Sequence, residues 1–187
     1  MSGRRARIKP RTAVFLGCEG ESEQSYGQFL NDALSKKGVP FHIEVVNLNP
    51  GAGDPRSRLL KAKKEIDKRA RNRTKFRHMA ILIDSDQIDG FPNQLRELEA
   101  LAETLRITII WQTPCHEAFL LNHFEGHINN SPPTAILAEQ HLRRVWPNYQ
   151  KPMSRQKLHQ NIAVGDAIRL AAKHPSFAEF LKNVGLL

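Results

Sequence analysis

The pattern of hydrophobic and polar positions predicts four buried strands that alternate with helices. Each strand is a short, continuous apolar run, which is typical of strands buried on both faces of a parallel sheet. These runs occupy residues 12–18, 41–48, 78–83 and 107–111. Apolar residues at helical spacing follow each run, over residues 22–37, 54 to about 73, 93–105 and from 114 onward. The alternation predicts an α/β fold with an open, mostly parallel, four-stranded sheet and helices on both faces.

Residue types at the predicted helix ends support these boundaries. Ser22 is the expected N-cap of the first helix, and Gly38 is expected to end it. Asp54 is the expected N-cap of the second helix, with Pro55 in its first turn. Both helices therefore begin directly after a predicted strand and its connecting loop.

The pattern changes after Gly126, where a polar segment is followed only by helices. Helical spacing predicts helices over residues 134–145, 154–173 and 176–181, separated by prolines. We therefore expect three parts in the chain. They are a basic flexible arm (residues 1–11), an α/β core (residues 12–126) and a helical C-terminal extension packed on the core (residues 127–187).

The charge of the chain favours a polyanionic partner. Its 187 residues carry a formal net charge of +9, which favours nucleic acid, DNA or RNA, over a membrane surface. Much of the excess lies on the predicted second helix. A solvated helix face is the alternative interpretation of such a run. The candidate phosphate contacts on this helix are Arg56, Arg58, Lys61, Lys64, Lys68 and Arg71.

Cysteine content and hydropathy indicate the cellular compartment in which the protein is expected. Cys18 and Cys115 are the only cysteines, which is too few for a disulfide framework and favours a reducing cytoplasm. No apolar run approaches the length of a membrane span. We therefore expect a cytoplasmic protein that does not contact a membrane.

Acidic residues follow the first and third predicted strands. Glu19 and Glu23 come after the first strand, and Asp84 and Asp86 come after the third. Because sites in open parallel sheets form at the carboxyl ends of strands, these carboxylates are expected to converge, with Asp86 in an extended segment on the same side as Asp84. Oxygen ligands favour Mg²⁺ or Mn²⁺ over zinc. The pattern predicts a metal site, although acids after strands can also cap helices or solvate loops. Glu21 is expected to face solvent or cap the helix.

Two residues after the fourth strand are accessory candidates. Glu117 begins the next helix, where it is a further metal ligand, a residue that orients a base, or a partner of the helix dipole. His116 is a general base, a phosphate contact or a structural histidine. The sequence leaves these alternatives open.

Several motifs resemble known families. C-E-G-E-S-E at residues 18–23 resembles the glutamate motif of TOPRIM domains and is similar to the E-G-E-S-E form of OLD-family nucleases. I-L-I-D-S-D at residues 81–86 resembles the TOPRIM D-x-D motif. T-P-C-H-E-A-F-L-L-N-H-F at residues 113–124 resembles a segment of RloB-like proteins, which contain TOPRIM domains and are encoded with restriction and abortive-infection loci. Y-Q-K at residues 149–151 also resembles that family, whereas Thr113, His116 and Phe119 depart from its pattern.

The resemblance implies a function and roles for particular residues. It implies a TOPRIM (Rossmann-like) sheet, Glu19 as the catalytic glutamate, Glu23, Asp84 and Asp86 as Mg²⁺ ligands, and Lys151 near the scissile phosphate. The leading hypothesis is a Mg²⁺-dependent nuclease of DNA or RNA in phage defence and abortive infection. It allows a partner protein from the same locus and a homodimer. The alternatives are a non-catalytic nucleic-acid-binding protein and a metal-dependent phosphotransferase that uses Asp84 as its nucleophile.

Overall fold

The core of the protein is a four-stranded parallel sheet. A computed structural model describes residues 11–49, 53–72 and 74–187. The strands are β1 (Thr12–Cys18), β2 (Phe41–Asn47), β3 (Phe76–Asp84) and β4 (Thr108–Gln112). They pair in the order β2-β1-β3-β4, and each pair is parallel. The predicted open parallel α/β sheet is therefore confirmed.

Helices cover both faces of this sheet, as expected. Eight helices lie in the described part of the chain. They are α1 (Glu21–Lys37), α2 (Pro55–Arg71), α3 (Pro92–Leu105), α4 (His116–Leu121), α5 (Ala135–Val145), α6 (Arg155–Asn161), α7 (Val164–Ala171) and α8 (Pro175–Asn183). Helices α2 and α3 pack on one face, and α1 packs with α4 to α8 on the other.

The central strand β1 shows why the strands read as continuous apolar runs. Val14 and Leu16 join the core beneath α1, whereas Phe15 joins the core beneath α2. All three side chains are fully buried. Because successive side chains of a strand point to opposite faces, a strand covered on both faces needs an apolar residue at every position.

The order of the strands places a crevice between β1 and β3. The chain moves from β1 to β2 on one side, then crosses to β3 on the other side and continues to β4. Ligands of open α/β sheets bind at such a reversal, beyond the carboxyl ends of the strands. Glu19 follows β1 directly, and Asp84 is the last residue of β3.

Two predicted features of the helices differ from the structure, and the predicted N-cap of α2 is confirmed. The helix expected over residues 154–173 is two helices, because buried Ile162 is extended and the Asp166 carboxylate accepts from the Ala163 amide (2.8 Å), which starts α7. Ser22 is not an N-cap, since α1 begins after Gly20. Asp54 caps α2 as predicted, because its side chain accepts from the Ser57 amide (3.1 Å).

The predicted basic arm lies almost wholly outside the described residues. Its last residue, Arg11, donates a hydrogen bond to the Ser35 hydroxyl on α1 (2.9 Å). Within the described residues, no helix combines the length and apolar character that crossing a bilayer requires.

Candidate functional site

Asp84 lies at the carboxyl edge of the sheet, where the charges of four other carboxylates act on it. Its Oδ1 atom is buried, and no described group forms a hydrogen bond to it. The pKa of Asp84 is raised to about 9. Burial is the largest cause of this increase, and the charges of Glu23, Glu19, Glu117 and Asp86 add to it. Without a cation nearby, Asp84 is therefore protonated at neutral pH.

Glu19 joins the ends of the two central strands. Its Oε2 atom accepts a hydrogen bond from the Asp84 amide (3.1 Å), and its Oε1 atom lies 2.8 Å from Nη2 of Arg58. Arg58 is buried and also donates from Nη1 to Oε1 of Gln87 (3.3 Å). Burial raises the pKa of Glu19, although the Asp84 amide and Arg58 oppose that change. Both carboxylate oxygens of Glu19 thus have partners inside the protein.

Glu23 and Glu21 face different surroundings at the start of α1. Glu23 is 6% exposed, whereas Glu21 is open to solvent, in agreement with the prediction for Glu21. Between them, the Ser22 hydroxyl accepts a hydrogen bond from the Met153 amide (3.0 Å), which ties this turn to the C-terminal part of the chain. The acidic segment after β1 therefore contributes one buried carboxylate from α1.

The segment after Asp84 is a turn, not the extended segment expected from the sequence. The Ser85 and Asp86 amides both donate to the Pro114 carbonyl oxygen at 3.1 Å, which bends the chain toward the end of β4. The Asp86 side chain is exposed as a result. Its charge still contributes to the raised pKa of Asp84.

Glu117 is held by two groups from the C-terminal part of the chain. It is 3% exposed, its Oε1 atom accepts from the Tyr149 hydroxyl (2.5 Å), and the same oxygen lies 2.8 Å from Nζ of Lys151. Burial alone would raise the pKa of Glu117, but the hydrogen bonds from Lys151 and Tyr149 lower it below its usual value. The roles predicted for Glu117 stay predictions, and its contacts indicate a further one, which is to position the ammonium group of Lys151.

Sequence reasoning did not find the contribution of Tyr149. Its hydroxyl and the half-exposed ammonium of Lys151 meet the same carboxylate oxygen. The signal was present in the Y-Q-K motif, because residues 149 and 151 can reach the same side of an irregular segment. The burial of Tyr149 among apolar residues, however, depends on how the helical extension folds, and the sequence does not give that fold.

His116 is fixed on one side and without a partner on the other. The ring is 1% exposed, and its Nδ1 atom lies 2.7 Å from Nε2 of Gln112. Its Nε2 atom is buried, and no described group forms a hydrogen bond to it. The ring also contacts Tyr26 edge-on, with centroids 6.0 Å apart. The Gln112 contact fits a structural role and leaves Nε2 for a further partner.

The structure brings most of the predicted site residues into one cleft of about 360 Å³. Glu19 lies beside it, in its ion pair with Arg58. Among the described residues, no group of three or more His, Cys, Asp or Glu side chains is arranged to hold a metal ion. The cleft is lined by, among others, Glu23, Asp84, His116, Glu117 and Lys151.

The donor set nevertheless fits a hard divalent cation. Four carboxylates, Glu19, Glu23, Asp86 and Glu117, act electrostatically on Asp84, and its Oδ1 atom has no hydrogen-bond partner among the described residues. Oxygen donors of this kind suit Mg²⁺ or Mn²⁺. Glu19 is already paired with Arg58, so a cation that bound Glu19 would compete with the guanidinium or share the carboxylate with it.

The basic residues of α2 fall into two groups. Arg58 is buried and faces the acids, not solvent. The acidic residues of the helix, Glu65 and Asp67, are paired with Arg69 and Lys63. Helical spacing places four of the predicted phosphate contacts on one outward side, and Arg56 is exposed in the first turn. Those four are Lys61, Lys64, Lys68 and Arg71.

Comparison with known proteins gives one family. The model of the RloB-like protein family matches residues 14–183, from β1 to α8. The match includes every acid of the site and Lys151. No curated protein and no solved structure is significantly similar to the chain.

Proposed function

Because the chain belongs to the RloB-like family, we propose that it is a divalent-metal-dependent phosphodiesterase of the TOPRIM type that cleaves DNA or RNA. We further propose that it acts in phage defence by abortive infection. The state of Asp84 is the observation that carries the proposal. This carboxyl group ends a central strand at the point where the sheet order reverses, and its pKa is raised to about 9 among other carboxylates.

The chemistry of this acid supports a cation as the missing partner. Several carboxylates in one crevice either share protons or are neutralised by a metal ion. Glu23, Asp84 and Asp86 would hold Mg²⁺ or Mn²⁺, and Glu19 would join them or act as the general base after release from Arg58. A bound Mg²⁺ or Mn²⁺ would supply Lewis-acid stabilisation of the charge on the phosphate.

Cationic side chains of the chain would bind and orient the phosphodiester. Lys151 lines the cleft with its ammonium held by Glu117, so it would offset charge on the phosphate that is attacked. Arg58 would turn to a phosphate oxygen when Glu19 releases it, because a guanidinium binds phosphate well. The basic residues on the outward side of α2, which are Lys61, Lys64, Lys68 and Arg71, would contact the polymer backbone without reading its sequence.

A cleavage assay tests this function. The protein is incubated with labelled DNA and RNA in Mg²⁺, Mn²⁺ or EDTA, beside Asp84→Asn and Glu19→Gln. Cleavage that requires the metal and is lost in both variants supports the proposal. The matched control is Glu125→Gln, since Glu125 is exposed beyond the end of α4. It is expected to cleave like the wild type.

The ion pair between Glu19 and Arg58 favours a second candidate, a non-catalytic nucleic-acid-binding protein. In that case Arg58 serves as the permanent counter-ion of Glu19, in place of a metal ion. Salt-sensitive binding that survives chelation, without cleavage, would support this candidate. Cleavage that persists in both acid variants would refute the metal-dependent mechanism. Phosphate trapped covalently on Asp84 would instead support a phosphotransferase.

A further inference from the structure

A second cavity lies beside the acidic cleft, on the other face of the sheet. Its volume is about 380 Å³, and it lies between the first turn of α2, the turn after β3, and α3. Pockets for small organic ligands begin at roughly 300 Å³. The cavity is therefore large enough for one such group.

The floor of this cavity belongs to the hydrophobic core. Ile88 and Leu98 are 7% and 3% exposed, and both pack in the cluster beneath α2 and α3. Pro55, the first residue of α2, is also buried. Because these residues are fixed by core packing, the apolar surface is present before any ligand binds.

The rim of the cavity carries groups that match the edge of a nucleobase. Gln94 offers an amide donor and an amide acceptor, and Gln87 offers an amide donor beside an oxygen that already accepts from Arg58 (3.3 Å). Arg56 adds donors and Glu97 adds an acceptor. Bases present the same mixture on their edges, and Arg, Gln and Glu are the side chains that pair with them. A free phosphate fits less well, because the Glu97 carboxylate would repel it.

Arg58 connects this cavity to the acids. It donates to Gln87, which lines the cavity, and it pairs with Glu19 at 2.8 Å. A nucleotide with its base in the cavity would therefore have its phosphate beside Arg58 and the acidic residues. Arg58 therefore links the rim of the cavity to the acid that follows β1.

We propose that this cavity, with Gln87 and Gln94 at its rim, binds one nucleobase of the nucleic acid next to the phosphate that is cleaved. The proposal rests on the proposed function and extends it, because it gives the protein a contact to a base in addition to the backbone. The cavity binds the base by stacking on the apolar floor and by hydrogen bonds from the two amides.

Nuclear magnetic resonance of ¹⁵N-labelled protein tests the cavity directly. The metal-free protein, in EDTA, is titrated with the nucleoside 5′-monophosphates of RNA and DNA and with ribose 5-phosphate, which lacks a base. The side-chain amide signals of Gln87 and Gln94 are assigned from Gln87→Glu and Gln94→Glu. We expect at least one nucleotide to shift both signals and to bind about tenfold more tightly than ribose 5-phosphate, a difference of about 1.4 kcal/mol.

A variant that fills the cavity provides the second arm. Gln94→Trp, at an exposed position of α3, is expected to weaken nucleotide binding about tenfold and to leave ribose 5-phosphate binding unchanged. Gln160→Trp, at an exposed position of α6, is the matched control and is expected to bind like the wild type.

Three results would overturn the proposal. They are equal affinity for ribose 5-phosphate and every nucleotide, no shift of either amide signal at millimolar nucleotide, and wild-type nucleotide binding by Gln94→Trp. None of these depends on cleavage, because the titration is made without metal. A protein that binds nucleotides in this way but never cleaves would refute the proposed function alone.

Discussion

Two carboxylates that line the same cleft, Glu117 and Asp84, have opposite electrostatic states. Glu117 accepts hydrogen bonds from Tyr149 and Lys151, and its pKa lies below the usual value. Asp84 has a buried oxygen without a described partner, and its pKa is raised to about 9. The difference shows that Glu117 has its counter-ion inside the protein, whereas Asp84 has no ion-pair partner among the described residues.

The origin of the difference lies in which segments meet each acid. Glu117 is met by the irregular segment between α5 and α6, which brings a hydroxyl and an ammonium group. Asp84 is met by acids that follow β1 and by Asp86 on its own loop. The C-terminal part of the chain therefore neutralises one side of the cleft and leaves the other side acidic.

The largest expected effect that separates the two acids is on catalysis. Asp84→Asn should lower the cleavage rate about a thousandfold or more, because it would remove a proposed metal ligand and its charge. Glu117→Gln should lower it about 10- to 100-fold, the range for a group that positions another. Single-turnover rates with labelled nucleic acid and Mg²⁺ measure both.

The two losses also differ in kind. Glu117→Gln should leave the Mg²⁺ concentration for half-maximal rate nearly unchanged, whereas a conservative Asp84→Glu should raise it. Equal losses in Asp84→Asn and Glu117→Gln, with equal changes in Mg²⁺ dependence, would contradict the distinction and make Glu117 a metal ligand.

The pH dependence of stability provides the next separation. The pKa of Asp84 is higher in the folded protein than in the unfolded chain, so the folded state binds more protons between about pH 4 and pH 9. In EDTA this residue should therefore lower the free energy of unfolding as the pH rises through that window, by about 3 kcal/mol after allowance for solvent screening. The contribution of Glu117 changes with pH in the opposite direction. Its pKa is lower in the folded protein, so it adds stability at neutral pH, and this stability is lost as the pH falls from the ordinary pKa of a glutamate to the lowered one.

Urea unfolding at several pH values, for the wild type and for Asp84→Asn, measures the contribution of Asp84 as a difference between the two proteins. Groups that titrate in both proteins and do not interact with Asp84 cancel in this difference, so it reports Asp84 together with the acids coupled to it. A difference that stays constant from pH 4 to pH 9 would show that Asp84 does not titrate as its surroundings require.

Stability at neutral pH should change in opposite directions in the two variants. In EDTA, Asp84→Asn should raise the free energy of unfolding by about 2 kcal/mol, because it removes a carboxyl group that is costly to ionise in this crevice. Glu117→Gln should lower it by about 2 kcal/mol, since Tyr149 and Lys151 lose a charged acceptor. Urea unfolding at pH 7 measures both, and two changes of the same sign would contradict the comparison.

The framework of this site could be predicted from the sequence, because it follows from local patterns. The β1 strand, Thr12–Cys18, has the predicted limits, since a strand covered on both faces must be apolar throughout. The convergence of charge on Asp84 follows from parallel strands that end at one edge. Both inferences need only the order of residues and the rules of a parallel sheet.

The partners within the site could not be predicted, because they depend on packing between distant segments. Arg58 is a basic residue like the outward-facing ones of α2, and only the folded structure shows that it is buried against Glu19. The break between α6 and α7 could not be predicted either, because the two residues between these helices, Ile162 and Ala163, are neither Gly nor Pro. It results from tertiary burial of Ile162.

The smallest expected effect concerns the hydroxyl group that holds Glu117. Tyr149→Phe removes one hydrogen bond to a buried carboxylate and keeps the ring in place, so it should cost about 1 to 2 kcal/mol of stability. Lys151 still neutralises Glu117 in this variant, and the cleavage rate should therefore fall less than tenfold. The matched control is Tyr26→Phe. The hydroxyl of Tyr26 forms a hydrogen bond with buried His123 outside the cleft (2.8 Å), so its removal should affect stability alone. If Tyr149→Phe lowers the rate as much as Glu117→Gln does, the hydroxyl and not Lys151 keeps Glu117 in its working position.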